Sequence, residues 1–196
     1  VGGEIEGRHL DDVLVDLDAV IDRARNDHSA LGIFPAMYRS VTADIQRASR
    51  DGFFDDGQRL ESFAVAFADR YLDADRERME DEQPTESWDV AFKAATDGRR
   101  RMVAQHLLAG MNAHINLDLG IVAAETVSDD PEQLRRDFVR VNDILFAKID
   151  TLQDSLNSVS PRLAWFDRIG GRIDEMLLSK VIGAARDDAW DLAMAI

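Results

Sequence analysis

A chain of 196 residues with a formal charge of −15 is long enough for one core of ordinary size, and its charge argues against binding nucleic acid through a basic face. It has no cysteine, which excludes disulfides, thiol nucleophiles and thiolate metal sites. No apolar run reaches the ~18 residues of a membrane span, and nothing resembles a signal peptide, so the expectation is a soluble, cytoplasmic protein.

The kind of charge is more specific than its sum. There are 28 Asp against 10 Glu, and 20 Arg against three Lys. Asp-rich, Lys-poor surfaces resemble those of halophilic proteins, where dense carboxylates keep water and counter-ions at the surface. The expectation is a salt-adapted source. An ordinary acidic protein that prefers Arg is the plainer alternative.

Gly2 and Gly3 precede an acidic start, so residues 1–8 are expected as a leader outside the fold. Residues 9–26 place Leu10, Val13, Leu17 and Val20 at helical spacing, with Asp on the wet face. His9 reads as lying near the helix start without a function, and His28 as a surface or capping residue, since a lone His has no partner by spacing. A loop, DHSALG, leads to a second helix over 31–50, with Pro35 in its first turn and a stripe of Phe34, Met37, Tyr38, Val41 and Ile45. Tyr38 and Arg39 can face a pocket, with core packing and a surface charge as the default readings. The turn DGFFDDG opens a long helix over 56–82, whose apolar face is Leu60, Phe63, Ala64, Phe67, Tyr71 and Leu72. Asp69 and Arg70 either pair with Asp73 at the surface or reach another helix.

Pro84 ends that helix, and Thr85 or Ser87 caps the next, which carries Trp88, Ala91, Phe92 and Ala95. Arg99, Arg100 and Arg101 then open a long helix against its dipole and need acidic partners. Ser128 to Glu132 is a strong helix start, and the stripe from Leu134 through Phe138, Val141 and Leu145 to Leu156 follows. Asn142 and Asp143 interrupt its apolar side. A short segment with Trp165 and Phe166, the break at Gly170-Gly171, and closing helical text over 172–193 complete the chain. Arg186 and Trp190 lie four apart, a spacing that permits stacking. The chain stops at Ile196 without a polar end, so continuation beyond it is expected. No stretch alternates as a strand. The expectation is therefore all-α: one domain over 1–196, a bundle of about seven or eight helices around a buried central helix at about 99–125.

That central helix is the most unusual text. It is apolar almost all round, yet His106, Gly110, His114 and Asp118 recur every four residues and form one ridge. Gln105, Asn112 and Asn116 form a second ridge, roughly opposite. A helix apolar on every side is normally enclosed by protein, and its buried polar groups need partners. Gly110 weakens the helix interior by about 1 kcal/mol relative to Ala, which suits a place where another backbone or a ligand comes close.

Two histidines and a carboxylate on one ridge suit a divalent metal such as Zn, Mn or Fe. His114 and Asp118 are one turn apart and close enough to share it. His106 is two turns from His114, about 12 Å in axial rise, so a site of His106, His114 and Asp118 needs help from another helix, with Asp69, Asp143 or Asp174 suitable by type. Without metal, His114–Asp118 forms an oriented general base. The plainest reading is a buried polar network that bridges helices. No HExxH, Gly-x-Ser-x-Gly or phosphate-cradling loop accompanies these residues.

The string QHLLAGMNAHINLDLG resembles the signature stretch of the family known as domain of unknown function 5995, with MNAHINLD (111–118) its specific part. The resemblance extends more loosely to FADRYLDA (67–74), SWDVAFKAA (87–95), VNDILFAKIDTLQDSL (141–156) and ARDDAW (185–190). It implies a helical fold and a shared site at Asn112, His114, Asn116 and Asp118, with Asp69, Arg70, Asn142 and Asp143 as second candidates. It names no substrate. The family pattern has Asn where Asp69 stands. Two functions are compatible with these residues. One is a hydrolase-like enzyme in which His114 is base or metal ligand, Asp118 its partner, and Asn112 and Asn116 position a small-molecule substrate. The other is a non-catalytic helical module that binds a small apolar ligand or a partner helix.

Overall fold

The computed structural model describes residues 7–96, 109–126, 135–145 and 184. Among these residues every regular element is helical, and the chain is all-α. The expectations for the leader, His106, the arginines at 99–101, the start at Ser128, the segment around Trp165, the Arg186–Trp190 pair and Asp174 lie outside the described residues. No described helix is long and apolar enough to cross a membrane.

Helix α1 (Leu10–Asn26) begins where the sequence places it, because the backbone N–H of His9 donates to Asp12 Oδ2 at 2.9 Å and closes the first turn. His9 is thus a capping residue. Leu10, Val13, Leu17, Val20 and Ala24 are buried, which is the i, i+3, i+7 stripe expected of one core-facing side. The opposite side carries aspartates that pair with arginines: Asp16 with Arg8, which also holds Asp69 of a later helix, Asp18 with Arg39, and Asp11 with Arg50. The default reading of Arg39 as a surface charge therefore holds. Each exposed pair contributes only a few tenths of a kcal/mol.

The loop after α1 contains a single 3-10 turn at Ala30–Gly32, started by Ser29, whose hydroxyl accepts from the Leu31 N–H at 3.2 Å. Helix α2 (Ile33–Arg50) follows and buries Phe34, Tyr38, Val41, Thr42 and Ile45. The Thr42 hydroxyl donates to the Tyr38 carbonyl at 2.9 Å, so its polar atom is satisfied within the helix.

Helix α3 (Gly57–Met79) starts on Asp56, whose carboxylate accepts from the Arg59 N–H at 3.0 Å. It ends three residues before the expected 82. Asp81 adopts a left-handed φ of 57°, which stops the helix ahead of Pro84. The helix packs on α1, on α2 and on the central helix, so it buries more than one stripe: Val65, Ala68, Ala74 and Asp75 join Leu60, Phe63 and Tyr71. Asp75 is tolerated inside because Arg23 and Arg78 both pair with it. Helix α4 (Glu86–Thr96) follows with Thr85 rather than Ser87 at the capping position, and it buries Trp88, Ala91 and Phe92.

The central helix is described over 109–126. Its middle, His114–Asp118, is a π turn, and Leu119–Thr126 continues as α-helix. Residues 135–145 are helical and are tied to the start of α3 by Asp137. This buried carboxylate accepts the backbone N–H groups of Asp55 at 2.7 Å and Asp56 at 2.9 Å. Phe138 on that helix then packs with Phe63, Leu119, Val122 and Ala123.

Candidate functional site

The site is assembled from α2, α3, α4 and the π turn. In an α-helix the spacing of His114 and Asp118 already brings their side chains together. Here the chain widens by one residue, and the Leu119 N–H bonds the His114 carbonyl, an i→i+5 step. Such single π turns recur at functional sites. Nothing in the five residues HINLD signals the widening in advance.

Both side chains are withdrawn from water: His114 is 3% exposed and Asp118 is 1%. His114 Nδ1 lies 3.2 Å from Asp118 Oδ2, and the same oxygen accepts from the indole N–H of Trp88 at 2.8 Å. Against a carboxylate, Nδ1 is the nitrogen that carries the hydrogen. The other ring nitrogen, Nε2, is then an acceptor, and it is buried without a hydrogen-bond partner among the described residues. The second oxygen, Asp118 Oδ1, faces Arg70 Nε at 3.5 Å, too long for a hydrogen bond, and both atoms are without one among the described residues. Burial is the largest influence on His114 and holds it below its usual 6.5, outweighing the hydrogen bond and charge of Asp118. Burial, reinforced by Asp118 and Asp69, pushes the Tyr38 hydroxyl well above its usual range. At neutral pH the histidine is uncharged and the tyrosine protonated.

The imidazole is clamped by aromatic rings. Phe67 stacks on it at 3.6 Å between centroids and 12° between planes. Tyr38 meets it edge-on at 4.5 Å, and Phe34 at 5.6 Å. Phe34 in turn touches Tyr71 and Trp88. It seats directly on the backbone at Gly110, where an added Cβ would lie 2.6 Å from its ring carbons. The glycine does permit a close approach, and what comes close is an aromatic side chain of α2.

His114 also lines a cavity of about 80 Å³ between α2, α3, the central helix and residues 135–145. Its walls include Met37, Val41, Phe63, Phe67, Met111, Ile115, Phe138, Val141 and Leu145. The polar members of the lining are Tyr38, Thr42 and His114.

The sequence-predicted residues divide. His114 and Asp118 meet, and Arg70 joins them from α3. Asp69 instead pairs with Arg8 on the outside, where burial raises its carboxyl despite that cation. Asn112 is exposed, where the all-round apolar text suggested enclosure. Asn116 contributes its backbone to the π turn. Asn142 is half-buried with its Oδ1 unpartnered, next to cavity-lining Val141, and Asp143 is exposed. Among the described residues no three His, Asp or Glu side chains gather closely enough to hold a metal ion. His114 and Asp118 meet as hydrogen-bond partners.

Sequence reasoning missed Trp88 as the second donor to Asp118 and Phe67 as the ring beneath His114. Both appeared only as members of apolar stripes. Tyr38, read by default as core packing with a pocket as the alternative, is buried and lines the cavity.

The model of a family of unknown function, DUF5995, matches residues 10–196, and the chain belongs to that family. Comparison with curated proteins and with solved structures gives no match.

Proposed function

We propose that this DUF5995 member binds a small, mainly apolar molecule in the cavity beside His114, with that histidine as its polar anchor. The observation that carries this reading is a conjunction: a mainly apolar chamber, and a buried neutral imidazole on its wall whose Nε2 has no partner among the described residues. A buried acceptor left unmade costs about 1–3 kcal/mol, and a ligand that satisfies it recovers that energy. The chamber is about half the ~150 Å³ of an engineered apolar cavity that stays dry and takes up benzene or xenon. Met37 and Met111 in its wall are unbranched and adapt to a larger guest.

Xenon tests the chamber without asking anything of the histidine. The methyl resonances of Met37 and Met111 are expected to shift saturably under xenon pressure, and Ala64→Leu, which fills the chamber from α3, is expected to abolish the shift. Wild-type methyl resonances that ignore xenon would overturn the reading.

A second reading is a hydrolase-like enzyme, favoured by the His–Asp geometry itself. Asp118 on Nδ1 orients the ring and leaves Nε2 to take a proton from a substrate or water, with Asn112 and Asn116 as positioning groups. The same orientation serves a histidine that holds a divalent metal through Nε2. Elemental analysis of the native protein beside His114→Ala distinguishes the two forms: one equivalent of metal that the variant loses supports the metal-dependent one.

A further inference from the structure

Resting on that reading of the cavity, we propose that the ligand is a neutral molecule bearing one hydroxyl on an apolar body, an alcohol or phenol, whose O–H donates to His114 Nε2.

The choice of donor follows from where the hydrogens are. Trp88 Nε1 donates to Asp118 Oδ2, which therefore presents an acceptor at that position. The same oxygen faces His114 Nδ1, which is left as the donor of that pair. Nε2 then has only a lone pair to offer. A ketone, ether or ester brings a second acceptor to an acceptor and leaves Nε2 unpaired. A hydroxyl brings the missing donor. An amide N–H brings one too, but it also carries a second, strongly hydrated polar group, its carbonyl, into a chamber whose lining is mostly apolar.

The sign of charge follows from the surroundings. Among the described residues no Lys or Arg lines the chamber, and the Asp118 carboxylate lies against His114 from behind. The guanidinium of Arg70 approaches that carboxylate from its far oxygen, Oδ1. A carboxylate or phosphate ligand would enter apolar surroundings beside a negative charge and without a cation, a heavy desolvation cost. An ammonium ligand would escape the repulsion but still carry a charge into a chamber walled by Phe63, Phe67 and Phe138.

The protein also holds the acceptor rigidly. Phe67 is stacked on one face of the ring, Tyr38 abuts it edge-on, and Asp118 fixes its rotation. An orientation set before binding costs the ligand little further ordering.

The test compares cyclopentanol with cyclopentanone, two molecules of nearly equal shape, at pH 7.5, using the methyl resonances of Met37 and Met111 with xenon as an independent probe of the chamber. The alcohol is expected to bind roughly tenfold more tightly than the ketone. In His114→Leu that preference is expected to vanish while xenon still enters, which also shows that the variant has kept its fold. A ketone that binds as well as the alcohol, in wild-type protein that takes up xenon, overturns the donor assignment and leaves the apolar chamber standing. Xenon uptake with neither cyclic compound bound overturns the assignment as well. Failure of xenon together with both compounds removes the chamber and this inference with it. Cyclopentanecarboxylate binding more tightly than cyclopentanol would contradict the argument from charge.

Discussion

Asp118→Ala is expected to lower the unfolding free energy by about 3–5 kcal/mol, because one carboxylate oxygen serves two buried donors. Trp88 Nε1 and His114 Nδ1 both point at Oδ2, and their side chains are almost wholly withdrawn from water. Alanine leaves both unmade, at about 1–3 kcal/mol each, and leaves a void as well. Replacing a buried charge can be neutral when its partners are replaced with it. Here the partners stay, so the loss dominates. Arg70 is about one-third exposed and turns to water, so it softens the effect only slightly. In a domain of this size a loss of that order lowers the melting midpoint by roughly 10 °C. Asp118→Asn keeps the volume and one acceptor and is expected to lose about half as much. Chemical denaturation of the three proteins is the check, and an alanine variant within about 1 kcal/mol of wild type would show that the oxygen does not hold these donors.

Phe34→Ala is expected to cost a similar amount, about 3–5 kcal/mol. Phe34 is the hinge pin of the aromatic cluster, touching Tyr38, Tyr71, Trp88 and His114, and its ring rests on the backbone at Gly110. The glycine supplies a sharper test than the truncation alone. Gly110→Ala would normally gain up to about 1 kcal/mol of helix propensity. With Phe34 present it instead drives a Cβ to 2.6 Å from the ring, and overpacking of this kind costs about 1–3 kcal/mol. Once Phe34 is alanine the clash is gone. The double variant should therefore be more stable than the sum of the single losses by at least about 1 kcal/mol. Strict additivity would mean that the two residues do not touch.

These two variants also mark what the sequence made legible. The helical class, the stripes of α1 and α2, and the pairing of His114 with Asp118 follow from spacing on a single element, and a 3.6-residue period is enough to read them. Gly110 could be read as a place of close approach, but not as a seat for Phe34, which lies 76 positions earlier in the chain. Trp88, Phe67 and Arg70 reach the site from two other helices. Their roles depend on how helices face one another, which no local pattern encodes. Asn112 misled for the opposite reason. Its position in apolar text suggested enclosure, yet it is exposed. The early end of α3 depends on a left-handed Asp81, a conformation that Asp adopts only occasionally.

The central claim is that His114 is a neutral imidazole protonated on Nδ1, with Nε2 free to accept. The pH dependence has a definite sign. Burial depresses the folded-state value below 6.5, so as pH falls through that of an unfolded histidine the unfolded chain takes up the proton first. The contribution of neutral His114 to stability is therefore fully present above about pH 6.5 and is lost as the solution becomes more acidic. The direct measurement is the ring nitrogen-15 spectrum of the folded protein from about pH 8 to pH 5, with His114 assigned by its disappearance in His114→Gln. The expected result is a protonated Nδ1 and a bare Nε2 at neutral pH, with conversion to imidazolium lagging behind that of an exposed histidine. A hydrogen on Nε2, or an imidazolium already formed at neutral pH, would contradict the claim and remove the acceptor on which the proposed ligand site depends.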